Sequence, residues 1–171
     1  MKKIAIAVLL SAFVAAPAVA ADMYVGVNVG SAKINASNLD TTTSFALLGG
    51  YTFNQYVAAE VAYTDFGSKD YQDPVFGPFS VKSSAWSISG VGSYPFNEQF
   101  SVFGKLGIAS TSTDTSGSST SKSDLTYGIG GQFNVNKQIG IRLGYDVYKV
   151  ADATSSTFDQ KVTSIGVVFK F

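Results

Sequence analysis

Ile139 to Tyr148, IGIRLGYDVY, reads as two sequences interleaved. Taken at every second position, one is Ile139, Ile141, Leu143, Tyr145, Val147 and the other Gly140, Arg142, Gly144, Asp146, Tyr148. Successive side chains on a strand point to opposite faces, so the stretch is a strand with one bulky apolar face and one face of glycines and opposite charges. The division recurs in Ser44 to Phe53, where Phe45, Leu47, Gly49, Tyr51 and Phe53 oppose Ser44, Ala46, Leu48, Gly50 and Thr52. It recurs again in Ser84 to Tyr94, where Trp86, Ile88, Gly90, Gly92 and Tyr94 oppose Ser87, Ser89, Val91 and Ser93.

Working outward, alternation marks eight strands: Tyr24 to Gly30, Ser44 to Phe53, Val57 to Asp65, Ser84 to Tyr94, Phe100 to Ala109, Leu125 to Val135, Ile139 to Tyr148 and Phe158 to Phe171. Beyond residue 20 no apolar pattern keeps helical spacing over ten positions, and glycine is too frequent for helices. Asn54-Gln55, Pro95 to Gln99 and Asn136 to Gln138 are short turns. Ser31 to Thr43, Phe66 to Lys82, Ser110 to Asp124 and Lys149 to Thr157 are long and polar, and the two kinds alternate. Four long loops at one end and three tight turns at the other describe an all-β fold, an eight-stranded antiparallel up-and-down barrel with both termini at the tight-turn end.

An eight-stranded barrel encloses only enough room for side chains to fill it. The small, polar face therefore points inward and the Leu, Ile, Phe and Tyr face outward. A continuous apolar band of that size is not tolerated in water. Lipid is the surrounding medium, and the barrel is transmembrane. Phe45 and Phe53, Trp86 and Tyr94, and Tyr127 and Phe133 bracket the aliphatic centre of their strands. Eight residues at roughly 3.3 Å each, tilted about 40°, cover about 20 Å, which fits between the aromatic girdles of an outer-membrane barrel.

The first twenty residues follow different rules. Lys2 and Lys3, an apolar run from Ile4 to Val14, and Ala18-Val19-Ala20 are the three parts of an export signal. The run is short for a bilayer-spanning helix, which needs about 20 residues. Residues 1–20 are thus expected to be a signal peptide and residues 21–171 a single barrel domain. Of twelve Lys and Arg, removal of Lys2 and Lys3 leaves ten against twelve Asp and Glu, so there is no electrostatic case for nucleic acid. Cysteine and histidine are both absent. That excludes disulfides and thiolate chemistry, and it removes the usual general base and zinc ligand.

Val57 to Gly67, VAAEVAYTDFG, carries a charge into this scheme. With Val57, Ala59, Val61 and Tyr63 outward, Glu60 points into the lumen beside Ala58, Ala62 and Thr64. A carboxylate there requires a partner. Lys105 and Arg142 lie on inward faces of other strands, and the expected lumen network is Glu60, Lys105 and Arg142 with Gln132, Asn134 and Asp146 as polar neighbours. Such a network serves either as a plug that specifies register or as a switchable constriction in which a cation exchanges partners and opens a narrow water path.

With these residues in place the sequence resembles the transmembrane barrel of outer-membrane protein A and the wider set of small eight-stranded outer-membrane barrels. Glu60 in VAAEVAYTDFG, Ser93-Tyr94-Pro95 before the second turn, Lys105 in FGKLG and Arg142 in IGIRLGYD carry the resemblance, which spans the whole of residues 21–171. It implies that Glu60, Arg142 and Lys105 correspond to the family's lumen glutamate, its paired arginine and a second basic residue. Val91 and Gln132 stand where the family has a further basic partner and a further acid. Ile165, Val167, Phe169 and Phe171 resemble the terminal-strand signal read by the barrel assembly machinery, with Phe169 and Phe171 at its end. The resemblance implies location in the bacterial cell outer membrane and partners among outer-membrane lipid, lipopolysaccharide, periplasmic chaperones and that machinery. It also leads to the expectation of a chain without the peptidoglycan-binding half that accompanies some members.

Other signals are weaker. Gly26 to Gly30 and Gly128 to Gly131 lack the following helix of a phosphate-binding loop and are read as relief of crowding in a narrow barrel. Asp65, Asp70 and Asp73 lack the spacing of a calcium site, and Asn35-Ala36-Ser37 is a chance glycosylation sequon. No cofactor or metal is expected. The Ser/Thr-rich Ser110 to Asp124 has little to bury and is expected to be mobile, a place for adhesion or phage attachment with a ligand the sequence does not name. Three functions follow: a non-enzymatic barrel with a structural or surface-interaction role and at most a narrow charge-gated pore, a channel for small solutes or hydrophobic compounds, and a lipid-modifying enzyme, for which the usual histidine base is missing.

Overall fold

The computed structural model describes residues 22–34, 42–73, 77–115, 118–151 and 157–171. The expected signal peptide at 1–20 and the sequon at 35–37 lie outside these residues. Eight antiparallel strands follow in chain order: β1 (Met23–Ile34), β2 (Thr42–Asn54), β3 (Val57–Asp73), β4 (Gly77–Pro95), β5 (Phe100–Thr115), β6 (Ser118–Asn134), β7 (Ile139–Ala151) and β8 (Thr157–Lys170). Each pairs with the next, and β1 pairs with β8 from Tyr24↔Lys170 to Ile34↔Gln160, closing the barrel. Closure leaves no sheet edge, which is what a strand structure in lipid requires, since nothing there can bond a free N–H or C=O.

The two faces sort as the alternation dictates. Ile141, Leu143 and Tyr145 are exposed on the outer wall, while Arg142, Asp146 and Tyr148 are buried. Trp86, Ile88 and Tyr94 are exposed and Ser87, Ser89 and Val91 buried. Val147, the last apolar residue before Lys149 on its outward row, is the exception and is buried.

One device repeats at all three tight turns. Asn54 Oδ1 accepts from the backbone N–H groups of Tyr56 and Val57 at 2.8 and 3.0 Å. Asn97 does the same for Gln99 and Phe100, and Asn136 for Gln138 and Ile139. A short amide side chain that bonds two and three residues ahead reverses the chain in minimal length, so these three sequence positions set the register of each hairpin.

The opposite end departs from expectation. β3 runs to Asp73, β4 starts at Gly77, β5 runs to Thr115 and β6 starts at Ser118, so most of the loops read at Phe66 to Lys82 and Ser110 to Asp124 are continuations of paired strands. The reading of Ser110 to Asp124 as a loop is corrected accordingly: its described residues pair from Ala109↔Asp124 to Thr115↔Ser118, with Ser112 and Ser121 hydroxyls 2.9 Å apart. Outside the membrane neither face has to be apolar, so the alternation that reveals a strand vanishes while the backbone ladder continues.

A bulge interrupts β3 where the register shifts between Asp65 and Ser68. Gly67 there has φ of 81°, a conformation disfavoured for residues with a Cβ, and Asp65 Oδ1 accepts its N–H at 2.7 Å. Within the bulge Phe66 is buried, 2% exposed.

Candidate functional site in the barrel interior

The lumen is built in layers along its axis. From the tight-turn end, the first is a vestibule of about 270 Å³ lined in part by Asn54, Asn97, Gln132, Asn134 and Lys170. Gln132 Nε2 donates to Asn134 Oδ1 at 2.8 Å, and Lys170 Nζ donates to the same oxygen at 3.1 Å.

Above it sits the charge network. Arg142, on β7, donates from Nη1 to Glu60 Oε2 on β3 at 2.6 Å. Tyr24, on β1, donates its hydroxyl to that oxygen at 3.1 Å. Lys105, on β5, bridges the two acids, its Nζ 3.6 Å from Glu60 Oε1 and 2.9 Å from Asp146 Oδ1. The contact with Asp146 is an ion pair by distance although its angles fall outside hydrogen-bond geometry. Two acids and two bases make the cluster neutral. Each charge has an opposite partner, the condition under which burial of ions is tolerated. Arg142 also lays its guanidinium 4.0 Å from the centre of the Phe103 ring. That contact covers the face of a cation whose Nε has no hydrogen-bond partner among the described residues.

Tyr24 and Phe103 escape a reading in which every bulky residue faces lipid. Their signal was nonetheless present in parity: Tyr24 alternates with Val25 and Val27, and Phe103 shares its face with Lys105. Room for them comes from glycine on the facing strand. A methyl group at Gly50 would occupy the ring of Tyr24, and one at Gly130 the ring of Phe103. Glycine here permits close approach, as expected of narrow barrels.

Over the network remains a cavity of only about 10 Å³, room for about one water. It is roofed by Phe66, Tyr148, Ala32, Ala85, Ala109 and Val162, a second buried apolar cluster. Phe66 and Tyr148 meet edge to face with ring centres 5.2 Å apart, and the Tyr148 hydroxyl lies 3.3 Å from that of Thr64.

The structure thus brings together Glu60, Lys105, Arg142 and Asp146. Asp146 is a full member of the network and not merely a neighbour. Gln132 lies directly opposite Arg142 as a polar neighbour, and it bonds Asn134 on the vestibule side rather than a charge of the network. Phe169 is exposed on the outer wall, its ring 5.3 Å from that of Phe171 at a near right angle. Asp65 is occupied with the Gly67 turn, and among the described residues no group of three or more acids gathers as a metal ion requires.

The fold is shared with known proteins at low sequence identity. The attachment invasion locus protein Ail of Yersinia pestis, in a structure with the heparin analogue sucrose octasulfate, is similar at 20% identity over 88% of this chain and 97% of its own, with a TM-score of 0.62. Neisserial surface protein A is similar at 22% identity over 87% and 97%, with a TM-score of 0.64. OprG of Pseudomonas aeruginosa is similar at 15% identity over 89% and 97%, with a TM-score of 0.61. No curated protein matches the sequence at a significant level. Residues 5–171 match the model of the outer membrane protein beta-barrel domain. The chain belongs to that family, a small eight-stranded barrel of the bacterial outer membrane.

Proposed function

We propose that the chain is a non-enzymatic barrel with a structural or surface-interaction role, conducting at most through a narrow path controlled by the lumen charges. One observation carries this reading: the interior is closed twice, by the Glu60, Arg142 and Lys105 layer and by the Phe66 and Tyr148 roof, with about 10 Å³ between them. Both layers have to open before a solute can pass. Among the described residues, the polar hairpins that extend β3 with β4 and β5 with β6 are offered to the exterior.

A second reading has its own observation. Lys105 already lies within reach of both Glu60 and Asp146, so Glu60 can shift its pairing from Arg142 to Lys105, an exchange that leaves the Arg142 guanidinium held by the Phe103 ring without a carboxylate. Such an exchange opens only the lower layer. A pore also needs Phe66 and Tyr148 to part.

Planar-bilayer recordings of the refolded protein separate the two. The expected result is a silent bilayer for the wild type and for Arg142→Ala, with openings only when Arg142→Ala is combined with Phe66→Ala. Discrete wild-type openings altered by Arg142→Ala alone would place the protein among channels. Incubation with labelled lipid A is expected to yield no product, and product formation would overturn the non-enzymatic reading.

A further inference from the structure

The outer wall carries a ring of lysines at the long-hairpin end, and their register partners differ. Lys82 on β4 is registered against Asp114 of β5, and Lys149 on β7 against Asp159 of β8. Lys33 on β1 is registered against Lys161 of β8. Residues directly opposite share a face, and both lysines continue outward-facing rows: Val27, Val29, Ser31, Lys33 on one strand and Val167, Ile165, Thr163, Lys161 on the other. Lys33 is exposed and Lys161 half-buried.

Like charges directly opposite one another destabilise a strand pair. Here they do so at the seam where the first and last strands close the barrel. The height of the pair is informative. Val29 and Ile165, registered with one another and both more than half exposed, form the last wholly apolar row. Lys33 lies four residues further along, which at about 3.3 Å per residue and about 40° of tilt is roughly 10 Å above that row. That is the depth of lipid headgroups. Two ammonium groups on flexible stems, with Cβ atoms about 5 Å apart, grip one phosphate between them.

We propose that Lys33 and Lys161 form a binding site for a phosphate of the phosphorylated glycolipid in the outer leaflet, and that the bound phosphate staples the β1–β8 seam. The assignment rests on the outer-membrane location and not on whether the barrel conducts, so it stands or falls separately from the closed-lumen reading. Asp159, two residues before Lys161 on the same outward row, is registered against Lys149, so the surrounding medium supplies the anion that neither lysine finds directly opposite it across the β1–β8 seam.

The test compares urea unfolding midpoints and lipid binding in three vesicles: phosphatidylcholine alone, with bis-phosphorylated lipid A, and with lipid A stripped of both phosphates. The wild-type midpoint rises only with the phosphorylated form. Lys33→Gln with Lys161→Gln abolishes that rise and weakens binding of the phosphorylated form by roughly thirtyfold, about fivefold for each lysine near an anionic surface. In phosphatidylcholine alone the same double variant is as stable as the wild type or more so, because repulsion has been removed. Lys82→Gln, altered at a position registered with an acid, keeps the wild-type response. Equal midpoint changes with phosphorylated and stripped lipid A, or an equal effect from Lys82→Gln, would overturn the site. A rise produced in phosphatidylcholine by inorganic phosphate alone would overturn the lipid as its source.

Discussion

On β7, Leu143 and Arg142 are neighbours in the chain and meet different solvents. Leu143 faces outward, 58% exposed, and any apolar side chain of similar size satisfies lipid there. Arg142 faces inward and depends on a particular oxygen of Glu60, on the Phe103 ring and on the space left by Gly130. The wall is specified by composition and the lumen by pairing. An outward residue interacts with a fluid that rearranges around it, whereas an inward one meets fixed partners on other strands.

The largest effect expected of this difference follows Glu60→Ala. It leaves the buried Arg142 cation without its carboxylate and should lower barrel stability by about 3 to 5 kcal/mol, read from urea midpoints in lipid vesicles. Replacing both partners by Leu should cost less than either single change, because neither buried charge is then left alone. A midpoint unmoved by Glu60→Ala would mean that the lumen is hydrated enough to solvate the arginine, and the contrast with the wall would collapse. Next comes Leu143→Arg, a charge placed near the middle of the lipid-facing span, with an expected loss of about 2 to 4 kcal/mol in the same assay. Outside both media, Asn97→Ala removes the two turn bonds to Gln99 and Phe100 and should cost about 1 kcal/mol. Smallest of all is Leu143→Ile, expected within about 0.5 kcal/mol of wild type. A larger penalty would show that the wall makes specific contacts after all and sharpen the boundary between the two regimes.

Much of this was legible before any coordinates. The inward parity of Glu60, Lys105 and Arg142 follows from a period of two, which is a property of covalent geometry and needs no knowledge of neighbours. Asn54, Asn97 and Asn136 mark the tight turns for the same local reason. Tyr24 and Phe103 were within reach of the parity argument, but aromatic bulk suggested the lipid side until facing glycines showed where the space lies. The extent of β3 to β6 was illegible because outside the membrane both faces meet water and the alternation disappears.

By itself the sequence determined the barrel, its orientation of faces and the set of charges inside, since each depends on residues adjacent along one strand. Only the closed barrel decided which charges meet. Glu60 and Arg142 are separated by 82 positions and Thr64 and Tyr148 by 84, and their contact depends on the stagger of eight strands around a ring. The pairing of Lys105 with Asp146, the assignment of Gln132 to the vestibule and the Phe66 roof come from that stagger. It accumulates around the whole ring and leaves no trace in any single strand.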